Sequence, residues 1–218
     1  MRPVVLINPN TNDATTDMMV SVAHKRAPDL RFVGLTAREG PALIVNERQL
    51  DQAALQIAAM AGEVAALDPA GVIVSAFGDP GADALAELVS CPVTGIAAAS
   101  AMAASAFGRF AVATTTPDLV IPIERRISQL GFNRLYCGTY LTGSRDAVSL
   151  TNDIERLDVE LADAVARAAR AGAQAVCIGG GPLSGARDRI AGRTAIPLID
   201  PVCAAVDLVA SRMASGSL

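Results

Sequence analysis

The chain repeats itself. Arg2-Pro3-Val4-Val5-Leu6-Ile7-Asn8-Pro9-Asn10-Thr11 runs parallel in pattern to Gly108-Arg109-Phe110-Ala111-Val112-Ala113-Thr114-Thr115-Thr116-Pro117. Gly71-Val72-Ile73-Val74-Ser75-Ala76-Phe77-Gly78-Asp79-Pro80-Gly81 does the same with Ala175-Val176-Cys177-Ile178-Gly179-Gly180-Gly181-Pro182-Leu183-Ser184-Gly185. Cys91-Pro92-Val93-Thr94-Gly95-Ile96 matches Ile196-Pro197-Leu198-Ile199-Asp200-Pro201. Residue 76 pairs with residue 180 and residue 92 with residue 197, offsets of 104 and 105. One such pair arises easily from the common habit of following a strand with a turn. Three pairs in order at nearly one offset, 104 to 106, point to a duplicated unit.

Within each unit, short β-branched runs alternate with Ala-rich amphipathic stretches. Strands are expected at Val4–Ile7, Arg31–Leu35, Gly71–Val74, Val93–Ile96, Phe110–Thr114, Arg134–Thr139, Ala175–Ile178 and Pro197–Ile199. Helices are expected at Thr15–Ala27, Asp51–Leu67, Ala98–Ala106, Leu119–Leu130, Asp153–Ala171 and Val202–Met213, with Gly172 as a C-terminal stop. Alternation of this kind predicts an α/β fold with parallel sheets covered on both faces. The expected architecture is two similar parallel-sheet domains related by a pseudo-twofold axis. The first spans 1–98 together with a C-terminal helix at 202–218, and the second spans 99–201. Ligands of open parallel sheets sit beyond the carboxyl ends of the strands. The site is therefore expected in the cleft between the halves, where Ala76 and Gly180 face each other.

Composition narrows the function. The chain has 218 residues, 51% hydrophobic and 18% charged, which is enough for a buried core. A net charge of -4 with no basic run argues against nucleic acid or an anionic membrane surface. No window approaches the roughly 20 apolar residues of a membrane helix, and the apolar start ends at Asn8-Pro9-Asn10, too soon for a signal peptide. A cytoplasmic location is expected. Cys91, Cys137, Cys177 and Cys203 form no CxxC pair, and His24 is the single histidine. No metal site and no disulfide is expected.

Four loops follow the strand ends. Asn8-Pro9-Asn10-Thr11-Asn12 offers amides and hydroxyls, either to a ligand or to cap the next helix. Thr114-Thr115-Thr116 is its counterpart, with three hydroxyls. The backbone of Ser75-Ala76-Phe77-Gly78 and of Gly179-Gly180-Gly181-Pro182 can approach a ligand closely and cradle an anion with N–H groups. Asn8, Thr11, Ser75, Ala76, Phe77, Gly78, Thr114, Thr115, Thr116, Gly179, Gly180, Gly181 and Pro182 are thus the candidate binding residues. The loops lack the Lys-Ser/Thr ending of a P-loop and the GxGxxG of dinucleotide folds. Asp79 is a candidate general base or a turn-former. Cys203 is a candidate thiol at a helix N-terminus or a small apolar filler. No histidine accompanies Ser75, which speaks against a Ser-His-Asp hydrolase.

Leu6-Ile7-Asn8-Pro9-Asn10-Thr11, Phe77-Gly78-Asp79-Pro80-Gly81, Phe110-Ala111-Val112-Ala113-Thr114-Thr115 and Ile199-Asp200 resemble the hydantoin racemase branch of the aspartate/glutamate racemase superfamily, along nearly the whole chain. The resemblance implies two α/β domains around a pseudo-twofold cleft and cofactor-independent proton chemistry at a carbon next to a carbonyl or carboxylate. In that family one cysteine from each half serves as acid or base on opposite faces of one carbon. The matching positions here are Ala76 and Gly180, and neither side chain carries a proton. The resemblance thus implies an isomerase acting on a small acid or cyclic ureide without the usual cysteine pair. A lyase or decarboxylase using the same anion cradle, and a non-catalytic binder of a small anion, are the alternatives. The expected partner is a small anionic or ureide ligand, and a homo-oligomer is compatible with such a fold.

Overall fold

A computed structural model of the chain describes residues 2–215. Eight strands run β1 (Val4–Asn8), β2 (Phe32–Thr36), β3 (Gly71–Val74), β4 (Val93–Gly95), β5 (Phe110–Thr114), β6 (Tyr136–Leu141), β7 (Ala175–Ile178) and β8 (Leu198–Ile199). The helices are α1 (Asp13–Arg26), α2 (Glu47–Ala59), α3 (Ala61–Ala66), α4 (Ala82–Leu88), α5 (Ile96–Ser105), α6 (Val120–Gln129), α7 (Ala147–Thr151), α8 (Ile154–Arg170), α9 (Ala186–Ile190) and α10 (Pro201–Ser215). The strands form two parallel four-stranded sheets, ordered β2-β1-β3-β4 and β6-β5-β7-β8. The two orders are the same order, one unit apart. The duplication read from the sequence is a duplication of topology.

Each sheet is apolar on both faces, so its strands read as continuous hydrophobic runs. Val4, Leu6 and Ile73 share one buried cluster with Phe110, Val112, Ala175 and Cys177 of the other sheet. Val5, Ile7, Val72 and Val74 point the other way, against α2, α3 and α4. Ala111, Ala113, Val176 and Ile178 do the same against the Leu157, Leu161, Ala164, Val165 and Ala168 stripe of α8. The period of two along a strand therefore divides the core into one central cluster and two outer ones. The central cluster joins the halves through α1, α5 and α10. α10 packs on α5, α1, β3 and β4, so the chain end returns to the first half. Residues 216–218 of the expected C-terminal helix lie outside the described residues.

Element boundaries moved where caps or tertiary pairing overrode local pattern. The expected helix at Asp51–Leu67 is two helices. Its true start is earlier because Asn46 caps it, accepting from the Gln49 N–H at 3.0 Å, while Gln49 reaches back to the Val45 N–H at 2.8 Å. It breaks at Met60, whose N–H turns back to the Gln56 and Ile57 carbonyls. The strand expected at Arg134–Thr139 begins at Tyr136, because Leu135 and Tyr136 still donate to the Phe132 carbonyl in the turn after α6. Helices α4, α7 and α9, of five to seven residues, are too short to show a period. Gly172, with φ 93°, stops α8 as expected.

One carboxylate fastens the first half's long turn to the rest of the molecule. Asp79 accepts from the Ala97 and Ala98 N–H groups at 2.7 and 2.9 Å, at the N-terminus of α5. It also accepts from Arg126 Nε of α6 at 3.1 Å. Gly95 leaves it room: a Cβ there would lie 2.0 Å from the Asp79 carboxylate. The second half has the same tether with its ends exchanged. Asp200, at the end of β8, accepts from Gly185 in the turn after β7 at 2.6 Å and from Val202 and Cys203 of α10 at 3.0 Å each. Replacing Asp79 by Ala leaves the Ala97 and Ala98 N–H groups and the Arg126 Nε without that acceptor, while Arg126 keeps its pair with Asp83. A loss of about 2–4 kcal/mol is expected. Chemical denaturation and a thermal melt should show it, with Tm lower by roughly 10 °C for a chain of this size.

Candidate active site

The carboxyl ends of both sheets meet in one cleft. The turn after β3 and the turn after β7 touch there: a Cβ on Gly181 would lie 2.4 Å from the Ser75 carbonyl oxygen and 2.8 Å from Met19 Sδ. Only a glycine permits that approach. Gly179 is held as tightly, since a Cβ would fall 2.5 Å from Val112 Cγ1. Thr114 donates its hydroxyl to the Gly179 carbonyl at 2.7 Å, and Thr116 lies 3.2 Å from Thr114, oxygen to oxygen. Ser75, Ala76, Phe77, Thr114, Thr115, Thr116, Gly179, Gly180, Gly181 and Pro182 all line the cleft. Ala76 and Gly180 thus border one space from the two halves.

Asn8, Thr11 and Gly78 stand behind these walls. Asn8 is fully buried and braces the loop after β1 through Asn10, Asn12 and Thr16. Thr11 spends its N–H on the Pro41 carbonyl at 3.1 Å. Gly78, at φ 132°, passes beneath Leu50. The residue of that first loop that lines the cleft is Asn10. The apolar wall formed by Leu43, Ile44, Leu50, Leu119, Ile123 and Leu183, with Thr151 beside it, also has no counterpart among the expected residues. Leu43 and Ile44 sit in a segment without period or repeat. Only their packing over the strand ends reveals them.

The polar groups that reach the cleft are neutral. None of the residues lining it is Asp, Glu, His, Lys, Arg, Cys or Tyr. The N–H groups of Ala76, Phe77, Thr115 and Thr116 have no acceptor among the described residues. The Gly180 N–H, expected in the cradle, instead turns back to the Ile178 carbonyl at 3.1 Å. The Ser75 hydroxyl is buried and has no partner among the described residues.

Asp79 and Cys203 lie elsewhere. The Asp79 side chain is 0% exposed, and its oxygens are taken by Arg126, Ala97 and Ala98. Burial pushes its carboxyl above the ordinary range, opposed by Arg126 and the two amides. Its left-handed φ of 52° and the φ of 70° at Gly81 make this an Asp-Pro-Gly turn, and the aspartate is a fastener within it. Cys203 borders a separate depression with Asp200 and Arg187. Burial, and then the Asp200 charge, push its thiol up to about 12. Cys177 is buried, its thiol against the Ser100 carbonyl at 3.4 Å, and burial pushes it up strongly. Among the described residues no cluster of His, Cys, Asp or Glu is placed to hold a metal ion, and no helix is long and apolar enough to cross a membrane.

Two duplicated parallel sheets with one cleft at their carboxyl ends define a pseudo-symmetric α/β fold with a single shared site. The chain belongs to the Asp/Glu/Hydantoin racemase family, whose model matches residues 4–209. It is 30% identical to a hydantoin racemase of Rhizobium meliloti over 217 residues, 97% of this chain and 88% of that one. Among solved structures, an allantoin racemase from Klebsiella pneumoniae superposes with a TM-score of 0.92 at 26% identity, covering 99% of this chain and 89% of that one. An allantoin racemase from Pseudomonas fluorescens gives 0.90 at 26% identity, covering 98% and 92%.

Because no thiol borders the cleft and the Cys177 and Cys203 thiols resist ionisation, alkylation should be without consequence. Iodoacetamide at neutral pH is expected to leave ligand-induced thermal stabilisation and any turnover unchanged. Inactivation in parallel with modification of Cys203 would contradict the geometry.

Proposed function

We propose that this cleft catalyses cofactor-independent isomerisation at a carbon next to the carbonyl of a small acid or cyclic ureide, in the cytoplasm, without a cysteine pair. The relatives named hydantoin racemase and allantoin racemase support the ureide class. The observation that carries the reading is that Ala76, Phe77, Thr115 and Thr116, which line one neutral cleft from both halves, have backbone N–H groups with no acceptor among the described residues. Removing a proton next to a carbonyl places negative charge on the carbonyl oxygen. Fixed N–H dipoles in a water-poor site stabilise that charge without reorganising. In this reading 1–98 with 202–218 forms one domain and 99–201 the other, with α10 packed on α1, β3 and β4 of the first and on α5 where the two join.

With no titratable side chain in the cleft, the proton moves to and from solvent species that reach the enolate. Two consequences follow from ordinary acid–base catalysis. The exchange rate should rise with pH in proportion to hydroxide, without the bell shape of a thiol pair. Installing the missing groups should also raise it. Gly180 has an extended φ of 167°, and a Cβ there would meet Leu183 Cγ at 3.3 Å, a close contact that the Leu183 side chain must yield a few tenths of an ångström to admit. The double variant Ala76→Cys with Gly180→Cys is therefore expected to exchange faster by about 10²–10⁴-fold.

Deuterium uptake tests the reading. Candidate hydantoins, allantoin and hydroxy or amino acids are incubated with the protein in D2O, and the α-carbon is followed by NMR. Uptake above the uncatalysed rate in at least one of them is expected, and none in any of them overturns the reading. A second reading, decarboxylation, draws on the same neutrality: loss of CO2 from a malonate-like acid generates the carbanion with no base. CO2 release without exchange into a ureide would favour it.

A further inference from the structure

The chain segment after β7 borders two spaces. Its first part, 179–183, lines the cleft. Its second part, 184–189, lines a separate open depression of about 520 Å³, shared with α1 and with the start of α10. A concavity of that size suits a small ligand. Lys25 and Arg26 border it from the first half, and Arg187 and Arg189 from the second. Asp188 and Asp200 are the carboxylates of the same wall. Four cations thus face two anions, in a chain whose net charge is -4.

The ion pairs around this wall leave donors over. Asp207 takes Arg26 through Nε and Nη2, at 2.7 Å each, and Asp158 takes Arg189 through the same two nitrogens, at 2.9 Å each. Neither of those aspartates borders the depression. Asp188 takes Arg187 through Nε at 2.9 Å and Nη2 at 2.8 Å. In all three guanidinium groups Nη1 has no acceptor among the described residues, and Lys25 has no partner there at all. Exposed pairs of this kind are weak and rearrange readily. Asp200 cannot take up the spare donors, because its oxygens are spent on the Gly185, Val202 and Cys203 N–H groups. The Ser184 hydroxyl is buried and likewise has no partner among the described residues. The cations also converge. Arg187 on α9 and Arg26 on α1 both oppose the rise of the Cys203 thiol pKa.

We infer that this depression binds a phosphate group, free or as a monoester, at a site separate from the cleft. Donors stand on α1 and on α9, and a tetrahedral oxyanion presents oxygens to both. A planar carboxylate turns its two oxygens to one of them. Guanidinium groups match phosphate geometry, and the Lys25 ammonium adds an uncompensated charge. The site is also wired to the cleft wall. Gly185, held by Asp200 at 2.6 Å, lies four residues from Gly181. Met18 borders the depression, and the Sδ of its neighbour Met19 lies 2.8 Å from where a Gly181 Cβ would be. Occupancy of the depression is therefore felt at the cleft through α1 and this turn. The assignment of the site stands whatever the cleft catalyses.

The full chain, labelled with 15N, is titrated by NMR with inorganic phosphate, with glycerol 3-phosphate and with acetate, at ionic strength held constant with sodium chloride. Saturable shifts of the Lys25, Gly185 and Arg187 amides are expected with both phosphates, together with smaller shifts at Gly179 and Gly181. Tighter binding of the ester points to an organic phosphate as the ligand, tighter binding of the free ion to phosphate itself, and equal binding to recognition of the phosphate group alone. The double variant Lys25→Gln with Arg187→Gln, neither of which lines the cleft, is expected to bind at least tenfold more weakly. No saturable shift in wild type at millimolar phosphate would overturn the site, and that readout needs no variant. Shifts at Ala76 and Thr116 with Lys25 and Arg187 silent would place the anion in the cleft and overturn it equally. Acetate binding as tightly as phosphate would overturn the ligand class, and an unchanged affinity in the double variant would overturn the role of the cations. Shifts at Lys25 and Arg187 that leave Gly179 and Gly181 unmoved would overturn the link to the cleft.

Discussion

The Asp79 carboxylate holds three separately built parts of the molecule at one point: the turn that borders the cleft, the first turn of α5, and α6 of the opposite half through Arg126. A buried charge is expensive to desolvate, and it persists only where its lone pairs are met. Here they are met by two helix-terminal N–H groups, where the helix dipole favours a negative charge, and by a guanidinium only 12% exposed. The same turn carries Ala76 and Phe77 into the cleft. Stability and site geometry therefore depend on one network. Asp200 repeats the device in the second half, but from the strand end and not from the turn. Duplication preserved the tether and not the residue that makes it.

That network also explains the neutrality of the cleft. The cations nearby are already engaged: Arg126 by Asp79 and Asp83, and Arg125 by Glu47. None of these charges borders the ligand space. What remains there are backbone N–H groups, hydroxyls and one carboxamide, set against an apolar wall. In the proposed reading such a site works by fixed dipoles and suits an uncharged ligand that acquires charge during reaction.

Much of this was legible beforehand. The strand runs stood out because both faces of each sheet are buried, which removes polar residues from them. The repeat located the two facing turns, and Ala76 and Gly180 do border one cleft. The family followed from the motifs at the strand ends. Three features were not legible. Asn8 and Asn10 are both asparagines in one motif, and composition does not say which braces the loop and which lines the cleft. The Asp79 carboxylate sits in a cleft-bordering turn, yet its partners are 18 to 47 residues away in sequence. The Leu43–Ile44 wall lies in a segment with no periodicity.

Sequence by itself determined the number of units, their parallel α/β class, the turns that meet, and the absence of thiols at positions 76 and 180. These are properties of local pattern and of repetition, which a one-dimensional reading carries in full. Tertiary structure decided which loop asparagine braces and which lines the cleft, the burial that makes Asp79 a fastener and Cys203 inert, and the closure of the cleft by residues from both halves. Those depend on which groups distant in the chain come within about 3 Å of one another, and no spacing along the chain encodes that.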